Sequence, residues 1–167
     1  KDGSIRNITL SDGVREMTGI WSLSGKKIAY LSDASGHYKL MLADQNGKTE
    51  GKSFDFDEGA QYFELITCTN DDDKIIYRDA HRNLKYIDLE GGKHVTIGTD
   101  PVRKGFINGS NQVSLSPDGK WLSYSLICAS LNQEIYLYNF ESGKAVSITD
   151  RMSDASQPAF SPDGKYL

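Results

Sequence analysis

Ser116-Pro-Asp-Gly-Lys-Trp-Leu-Ser-Tyr124 is the stretch of sequence that decides the fold. Proline presets the backbone at the second position of a type I turn. Glycine at the fourth position takes a left-handed conformation without steric cost. The branched and aromatic residues that follow alternate with polar ones, which is typical of a strand with one buried face. The stretch therefore predicts a tight hairpin turn that leads into a β-strand.

This stretch recurs along the chain. The tyrosines that close its three complete copies, Tyr30, Tyr77 and Tyr124, follow one another at intervals of 47 residues, and a fourth copy runs from Ser161 to Leu167. Four short strand-like elements separated by turn signals fill each interval, and the sequence contains no amphipathic pattern of helical period over ten residues or more. Four strands in a unit of about 45 residues are typical of a β-propeller blade.

The repeats divide the chain into blade-sized units. We place the units approximately at residues 10–56, 57–103, 104–150 and 151–167, and we assign residues 4–9 to an outer strand of a preceding or closing blade. A propeller usually has four to eight blades. The predicted fold class is therefore all-β, a β-propeller fragment of four-stranded antiparallel blades, and we expect the 167 residues to be one segment of a larger ring.

The apolar residues of each second strand are predicted to pack between neighbouring blades. Ile28, Ile75 and Leu122 lie on the same face as the repeated tyrosines, and Trp21 and Trp121 add bulk. The alternative to packing is that the aromatic side chains form a platform on which ligands stack. We favour packing because blades meet face to face and need large apolar side chains in the wedge between them.

Composition and motif searches exclude several kinds of partner. The chain has 19 Lys and Arg against 23 Asp and Glu, a net charge of −4, which argues against a nucleic-acid ligand. No apolar run approaches the roughly 20 residues that a membrane helix needs. No cysteine or histidine cluster has metal-ligand spacing, so we expect no metal and no cofactor. Cys68 and Cys128 lie in apolar strand-like stretches, which favours unpaired buried thiols over a disulfide.

The remaining polar groups do not predict catalysis. The acidic run 71–73 lacks the spacing of an EF-hand loop and is interpreted as a turn. Neither a nucleophile elbow nor a phosphate-binding loop is present. Glu64 and Glu134 are carboxylates that a fold could pair for glycosidase-like chemistry, which a sequence does not reveal. Surface positions are expected for the three histidines, His37, His81 and His94.

The repeats resemble a known family. The turn motif, followed by Glu134-Ile-Tyr-Leu-Tyr-Asn139 and a short strand ending in Ile-Thr, resembles the WD40-like repeat of TolB-type propellers. Ser4-Ile-Arg-Asn-Ile-Thr9, Asp12-Gly-Val-Arg-Glu16 and the segment 154–167 are similar to the propeller region of tricorn-type serine peptidases. The second resemblance implies a propeller ahead of separate PDZ-like and peptidase domains, and it carries no enzyme activity to this chain itself.

The resemblance implies a non-catalytic propeller module of a tricorn-like serine peptidase. Such a module would be a scaffold and a substrate gate or docking surface for peptides, and its partners would be a peptide or protein and the remainder of its own polypeptide. The alternative is a free-standing TolB-like propeller that binds a protein partner or a small ligand at its channel mouth. Export to the periplasm is implied by the bacterial relatives, with a cytoplasmic location as the alternative.

Candidate binding residues precede each innermost strand, because propeller ligands usually meet the loops around the channel mouths. The alternative is that each of these positions holds an ordinary solvated loop residue with no role in binding. The candidates are Arg15, Glu16, Gln61, Tyr62, Asn111, Gln112, Ser156 and Gln157.

Overall fold

In a computed structural model of the chain, twelve β-strands make up the regular structure of the described residues. The structure describes residues 3, 5, 7–46, 49–56, 63–101, 113–129 and 131–167. The strands are β1 (Glu16–Trp21), β2 (Lys27–Ser32), β3 (Lys39–Asp44), β4 (Thr49–Asp55), β5 (Phe63–Cys68), β6 (Lys74–Asp79), β7 (Asn83–Asp88), β8 (His94–Thr99), β9 (Val113–Leu115), β10 (Trp121–Ile127), β11 (Gln133–Asn139) and β12 (Lys144–Ser147). No helix long and apolar enough to cross a membrane occurs in the described part of the chain.

The strands form three antiparallel sheets of four strands each. Sheet 1 contains β1 to β4, sheet 2 contains β5 to β8 and sheet 3 contains β9 to β12, and every strand pairs with its neighbours in sequence. This up-and-down arrangement is that of propeller blades, and it confirms the predicted all-β propeller fragment. The unit boundaries predicted near 57 and 104, like Ser4 and Arg6 of the predicted outer strand, lie outside the described residues.

The repeated turn joins the first two strands of each sheet. In the third copy, the N–H of Gly119 donates to the carbonyl of Ser116 at 2.9 Å, and Gly119 has a φ of 72°. In the second copy, Asp72 takes the same place with a φ of 59° and donates to the carbonyl of Thr69 at 3.0 Å. Aspartate tolerates the left-handed conformation better than most residues. The acidic run is therefore a turn, as predicted.

Two apolar cores separate the sheets. The first lies between sheets 1 and 2 and includes Leu31 and Tyr77. The second lies between sheets 2 and 3 and includes Ile76, Leu122 and Tyr124. Because side chains alternate across a strand, neighbouring residues of β6 serve different cores. The predicted packing between blades is confirmed for Ile75, Tyr77, Leu122 and Tyr124, whereas Trp121 belongs to neither core.

Trp21 departs from the packing prediction. Its side chain is 57% exposed. Trp21 pairs with Ile28 on β2, which places it on the face of sheet 1 opposite to the first core. Within the described residues no sheet lies against that face, so the indole has no blade to pack on.

His94 also differs from its prediction as a surface residue. Its Nδ1 lies 2.7 Å from the hydroxyl of Tyr77, and its Nε2 lies 2.8 Å from the backbone carbonyl of Asp55. The imidazole thus links sheet 2 to the end of β4 in sheet 1. His37, in contrast, is exposed and contacts the Asp55 carboxylate at 2.9 Å.

The repeated turns of successive sheets contact one another. The N–H of Leu23 donates to Sγ of Cys68 at 3.1 Å, and Nδ2 of Asn70 donates to the carbonyl of Ser116 at 3.0 Å. All the repeated turns therefore lie at one end of the sheets, which we name the turn end. The opposite end, where β1, β5 and β9 begin, is named the loop end.

Candidate functional site

A cavity of about 530 Å³ opens at the loop end between sheets 2 and 3. The end of β8, the end of β10, the start of β11 and the segment after β12 enclose it. Its apolar lining residues are Pro101, Leu126, Ile127 and Ala129, and its polar ones are Thr99, Cys128, Glu134, Tyr136 and Arg151.

Glu134 is the chemically distinctive residue of this cavity. It pairs with Leu126 across β10 and β11 and so faces sheet 2, with no part of the residue exposed. Its Oε2 accepts hydrogen bonds from the hydroxyl of Tyr136 at 2.9 Å and from Oγ of Ser147 at 3.2 Å. Its Oε1 has no hydrogen-bond partner among the described residues.

Arg151 provides the compensating charge. Its Nε lies 3.2 Å from Oε1 of Glu134, although its own side chain is 70% exposed. Burial raises the pKa of Glu134, but hydrogen bonds from Cys128, Tyr136 and Ser147 and the charge of Arg151 outweigh burial and lower that pKa below its ordinary value. The carboxylate is therefore ionised at neutral pH.

Backbone contacts hold Arg151 at the rim of the cavity. Its carbonyl accepts a hydrogen bond from Nδ2 of Asn132 at 3.1 Å, and its φ is 64°. Nearby, the N–H of Ala155 donates to the carbonyl of Gln133 at 2.9 Å, and the N–H of Gln133 donates to Oδ1 of Asp154 at 2.8 Å. The segment that carries Arg151 is thus attached to the start of β11, and Arg151 lines the cavity.

A buried ion pair supports the wall formed by sheet 2. Nη1 of Arg78 lies 3.0 Å from Oδ2 of Asp100, with the two side chains only 14% and 10% exposed. The N–H of Ile127 donates to Oδ1 of the same carboxylate at 2.8 Å. Burial lowers the pKa of Arg78 despite the opposing charge of Asp100. Asp100 therefore fixes the end of β10 against the chain leaving β8.

The predicted residues Arg15 and Glu16 lie at the loop end but away from this cavity. The backbone N–H of Arg15 donates to Oδ1 of Asp33 at 2.8 Å. The carboxylate of Glu16 accepts hydrogen bonds from the hydroxyls of Thr9 and Ser11. Glu16 thus fastens the segment before β1, and Arg15 leaves its side chain exposed.

The other predicted residues fall into two groups. Ser156 and Gln157 are exposed at the loop end, and Gln157 has a φ of 62°. Gln61, Tyr62, Asn111 and Gln112 lie outside the described residues. Among the described candidates, none lines the cavity. Their role in binding stays a prediction.

Sequence reasoning missed the cavity residues as a binding site. One signal for Glu134 was present, because it alternates with Tyr136 and Tyr138 on the face of β11 that packs in the second core. A charged residue in register with core aromatics indicates either a partner or a function. Arg151 carries no comparable signal, since its place depends on the path of the chain after β12.

Cys68 and Cys128 form no disulfide, and the first is buried whereas the second is half-buried at the cavity. Within the described ranges, no group of three or more His, Cys, Asp or Glu side chains could hold a metal ion.

Comparisons with known proteins identify the fold. No family model matches the chain. It is 23% identical to dipeptidyl-peptidase 5 of Porphyromonas endodontalis over 99% of its own length, and it spans about a third (31%) of that protein. Among solved structures it is similar to TolB from Acinetobacter baumannii, with 22% identity, a TM-score of 0.59 and coverage of 94% of this chain and 38% of that one. It is also similar to the tricorn protease, with 20% identity, a TM-score of 0.65 and coverage of 84% of this chain and 14% of that one. The chain thus has the fold of TolB and tricorn propellers.

Proposed function

We propose that this chain is a non-catalytic propeller module of a tricorn-like serine peptidase, and that its loop end is a docking surface for peptides. The similarity to the tricorn protease and to a dipeptidyl-peptidase supports the peptidase context. The chain spans only part of each of these proteins, so the peptidase activity of the whole polypeptide is part of the proposal.

One observation carries the docking role. An ionised carboxylate, Glu134, is completely buried beside a cavity of about 530 Å³. Its charge partner is Arg151, which is 70% exposed, and its Oε1 has no hydrogen-bond partner among the described residues. Burying such a group is costly unless a partner satisfies it. Perturbed titratable groups in a concave pocket are typical of binding sites.

Peptide binding tests the proposal. A panel of labelled peptides that covers basic, acidic and apolar sequences is titrated against the protein by fluorescence anisotropy. We expect Glu134→Gln to weaken the best binder about tenfold, or about 1.4 kcal/mol. Glu141→Gln is the matched control, because Glu141 lies at the turn end, is 69% exposed and pairs with Lys120 at 3.3 Å.

Two results would contradict this function. The first is that no peptide of the panel binds the wild-type protein. The second is that mass spectrometry finds peptides cleaved after incubation with it, which would contradict a non-catalytic role. Equal losses in Glu134→Gln and Glu141→Gln would contradict the assignment of the docking surface to the loop end.

The second candidate is a free-standing TolB-like propeller that binds a protein or small ligand. The similarity to TolB over 94% of this chain favours it. The complete reading frame separates the two candidates, since a PDZ-like and peptidase region supports the first. Fractionation of cells tests the proposed export to the periplasm against the cytoplasmic alternative.

A further inference from the structure

We infer that the cavity between sheets 2 and 3 is a subsite for a basic side chain of a docked peptide, with the carboxylate of Glu134 as its ion-pair partner. This inference rests on the proposed peptide docking and adds the class of side chain that the cavity selects.

The two oxygens of the Glu134 carboxylate differ in their hydrogen bonds. Oε2 accepts hydrogen bonds from Tyr136 and Ser147, and Cys128 also donates to this carboxylate, whereas Oε1 has no hydrogen-bond partner among the described residues. A carboxylate oxygen has room for about two donors. The open position therefore calls for a donor, and a cationic donor matches the negative charge best.

Arg151 lies next to the Oε1 atom of Glu134, on the side that faces solvent. Its Nε lies 3.2 Å from Oε1 of Glu134, close enough for an ion pair, yet Oε1 accepts no hydrogen bond from it. The Arg151 side chain is 70% exposed, so it approaches from the solvent side. A cation entering from solvent can thus reach Oε1, and Arg151 occupies that route as an internal competitor that an incoming ligand displaces.

The cavity has a largely apolar lining and enough volume for a long side chain. Its volume of about 530 Å³ exceeds what one side chain needs, and Pro101, Leu126, Ile127 and Ala129 line it. Lysine and arginine bury their aliphatic stems along apolar surfaces while the charged head meets a polar group. At the position next to Oε1, from which the incoming ligand displaces Arg151, an acidic side chain would bring its charge toward Glu134. The cavity therefore selects a basic side chain.

The test compares peptides that differ in a single side chain. One peptide carries lysine at a central position, its partner carries norleucine there, and each is made with a free and with an acetylated N-terminus. We expect the wild-type protein to bind the lysine peptide about tenfold more tightly than the norleucine peptide. Acetylation of the N-terminus should leave this ratio unchanged, because the side chain supplies the cation.

Three variants locate the preference. Glu134→Gln should reduce the lysine-to-norleucine ratio to about one while the norleucine peptide keeps its affinity, which also shows that the variant is folded. Arg151→Ala should tighten binding of the lysine peptide about threefold, because the competitor is gone. Glu141→Gln should leave the ratio as in the wild type.

Each contrary outcome has a distinct meaning. Equal binding of the lysine and norleucine peptides overturns the subsite while peptide docking stands. A preference that vanishes on N-terminal acetylation overturns the side-chain assignment in favour of a terminal amine. Weaker binding to Arg151→Ala overturns the role of Arg151 as a competitor and identifies it as the group that holds the ligand. Failure of every peptide to bind overturns the proposed function and the subsite together.

Discussion

The backbone N–H of Ile127 donates a 2.8 Å hydrogen bond to Oδ1 of Asp100, across the boundary between sheets 3 and 2. Oδ2 of the same carboxylate lies 3.0 Å from Nη1 of Arg78. A single buried side chain therefore joins two blades by a hydrogen bond and an ion pair, and it lies directly behind the candidate cavity.

Replacing Asp100 with alanine should destabilise the protein by about 3–5 kcal/mol. Removing one partner of a buried ion pair leaves the other charge uncompensated, and here the N–H of Ile127 also loses its acceptor. The free energy of unfolding is measured by urea denaturation. Asp100→Asn is the control, because its amide oxygen still accepts from Ile127, and it should lose less. A loss below 1 kcal/mol in Asp100→Ala would show that the contact is energetically unimportant.

Replacing Gly98 with alanine should cost about 1–3 kcal/mol through overpacking. A Cβ at this position would lie 2.9 Å from Cδ1 of Leu126 and 3.1 Å from Cε2 of Tyr124. Gly91→Ala is the matched control, since its Cβ would meet nothing within 4 Å. Thermal denaturation of the two variants measures the difference. Equal melting temperatures would mean that sheets 2 and 3 are less closely packed than described.

The repeated turns should contribute to loss of stability in acid. A hydrogen bond from Ser116, with a smaller one from the N–H of Lys120, lowers the pKa of Asp118 below its ordinary value of 3.8. The folded state then binds fewer protons than the unfolded state, so the stabilisation is complete above about pH 4 and is lost as the pH falls further.

Asp118→Asn should therefore flatten the fall in stability below pH 4, because asparagine keeps the acceptor but does not titrate. Asp163 in the fourth copy has its pKa lowered in the same way by Ser161, and Asp163→Asn serves as an independent repeat. Urea midpoints between pH 2 and pH 6 provide the measurement. An unaltered slope in both variants would exclude the turns as a source of acid sensitivity.

The two thiols should react at very different rates. Burial raises the pKa of Cys68, which is 1% exposed, whereas Cys128 is half-buried at the cavity. Because the thiolate is the reactive form, a disulfide reagent should modify about one thiol rapidly in the native protein and both in denaturant. Cys128→Ser should abolish the rapid phase. Rapid modification that persists in this variant would place Cys68 at the surface.

The local repeat predicted the fold well because turn chemistry is a short-range property. The interval between Tyr77 and Tyr124 predicted successive blades, and the structure places these residues in the two successive cores. The acidic run 71–73 was predicted to form a turn, and Asp72 takes the place of the left-handed glycine there with a φ of 59°. Within each copy of the repeat, the residues that determine the turn geometry lie within a few positions of one another.

The candidate site was harder to predict because it depends on contacts distant in sequence. The burial of Glu134 arises from sheet 2 packing opposite β11, and the pairing with Arg151 arises from the path of the chain after β12. The constraint at Gly98 is similar, since it exists only where Tyr124 and Leu126 approach. For Trp21 the prediction was wrong, because a periodic sequence does not reveal which faces lack a neighbour.

The contacts between repeated turns have an evolutionary consequence. Leu23 contacts Cys68, and Asn70 contacts Ser116, so each sheet bonds to the next through the same part of the repeat. Because each unit contacts chiefly its neighbours, tandem duplication of a gene segment would yield a unit whose two faces already match its surroundings. The number of blades could then change in a lineage by whole units, while substitutions at positions such as Glu134 would make individual copies differ from one another.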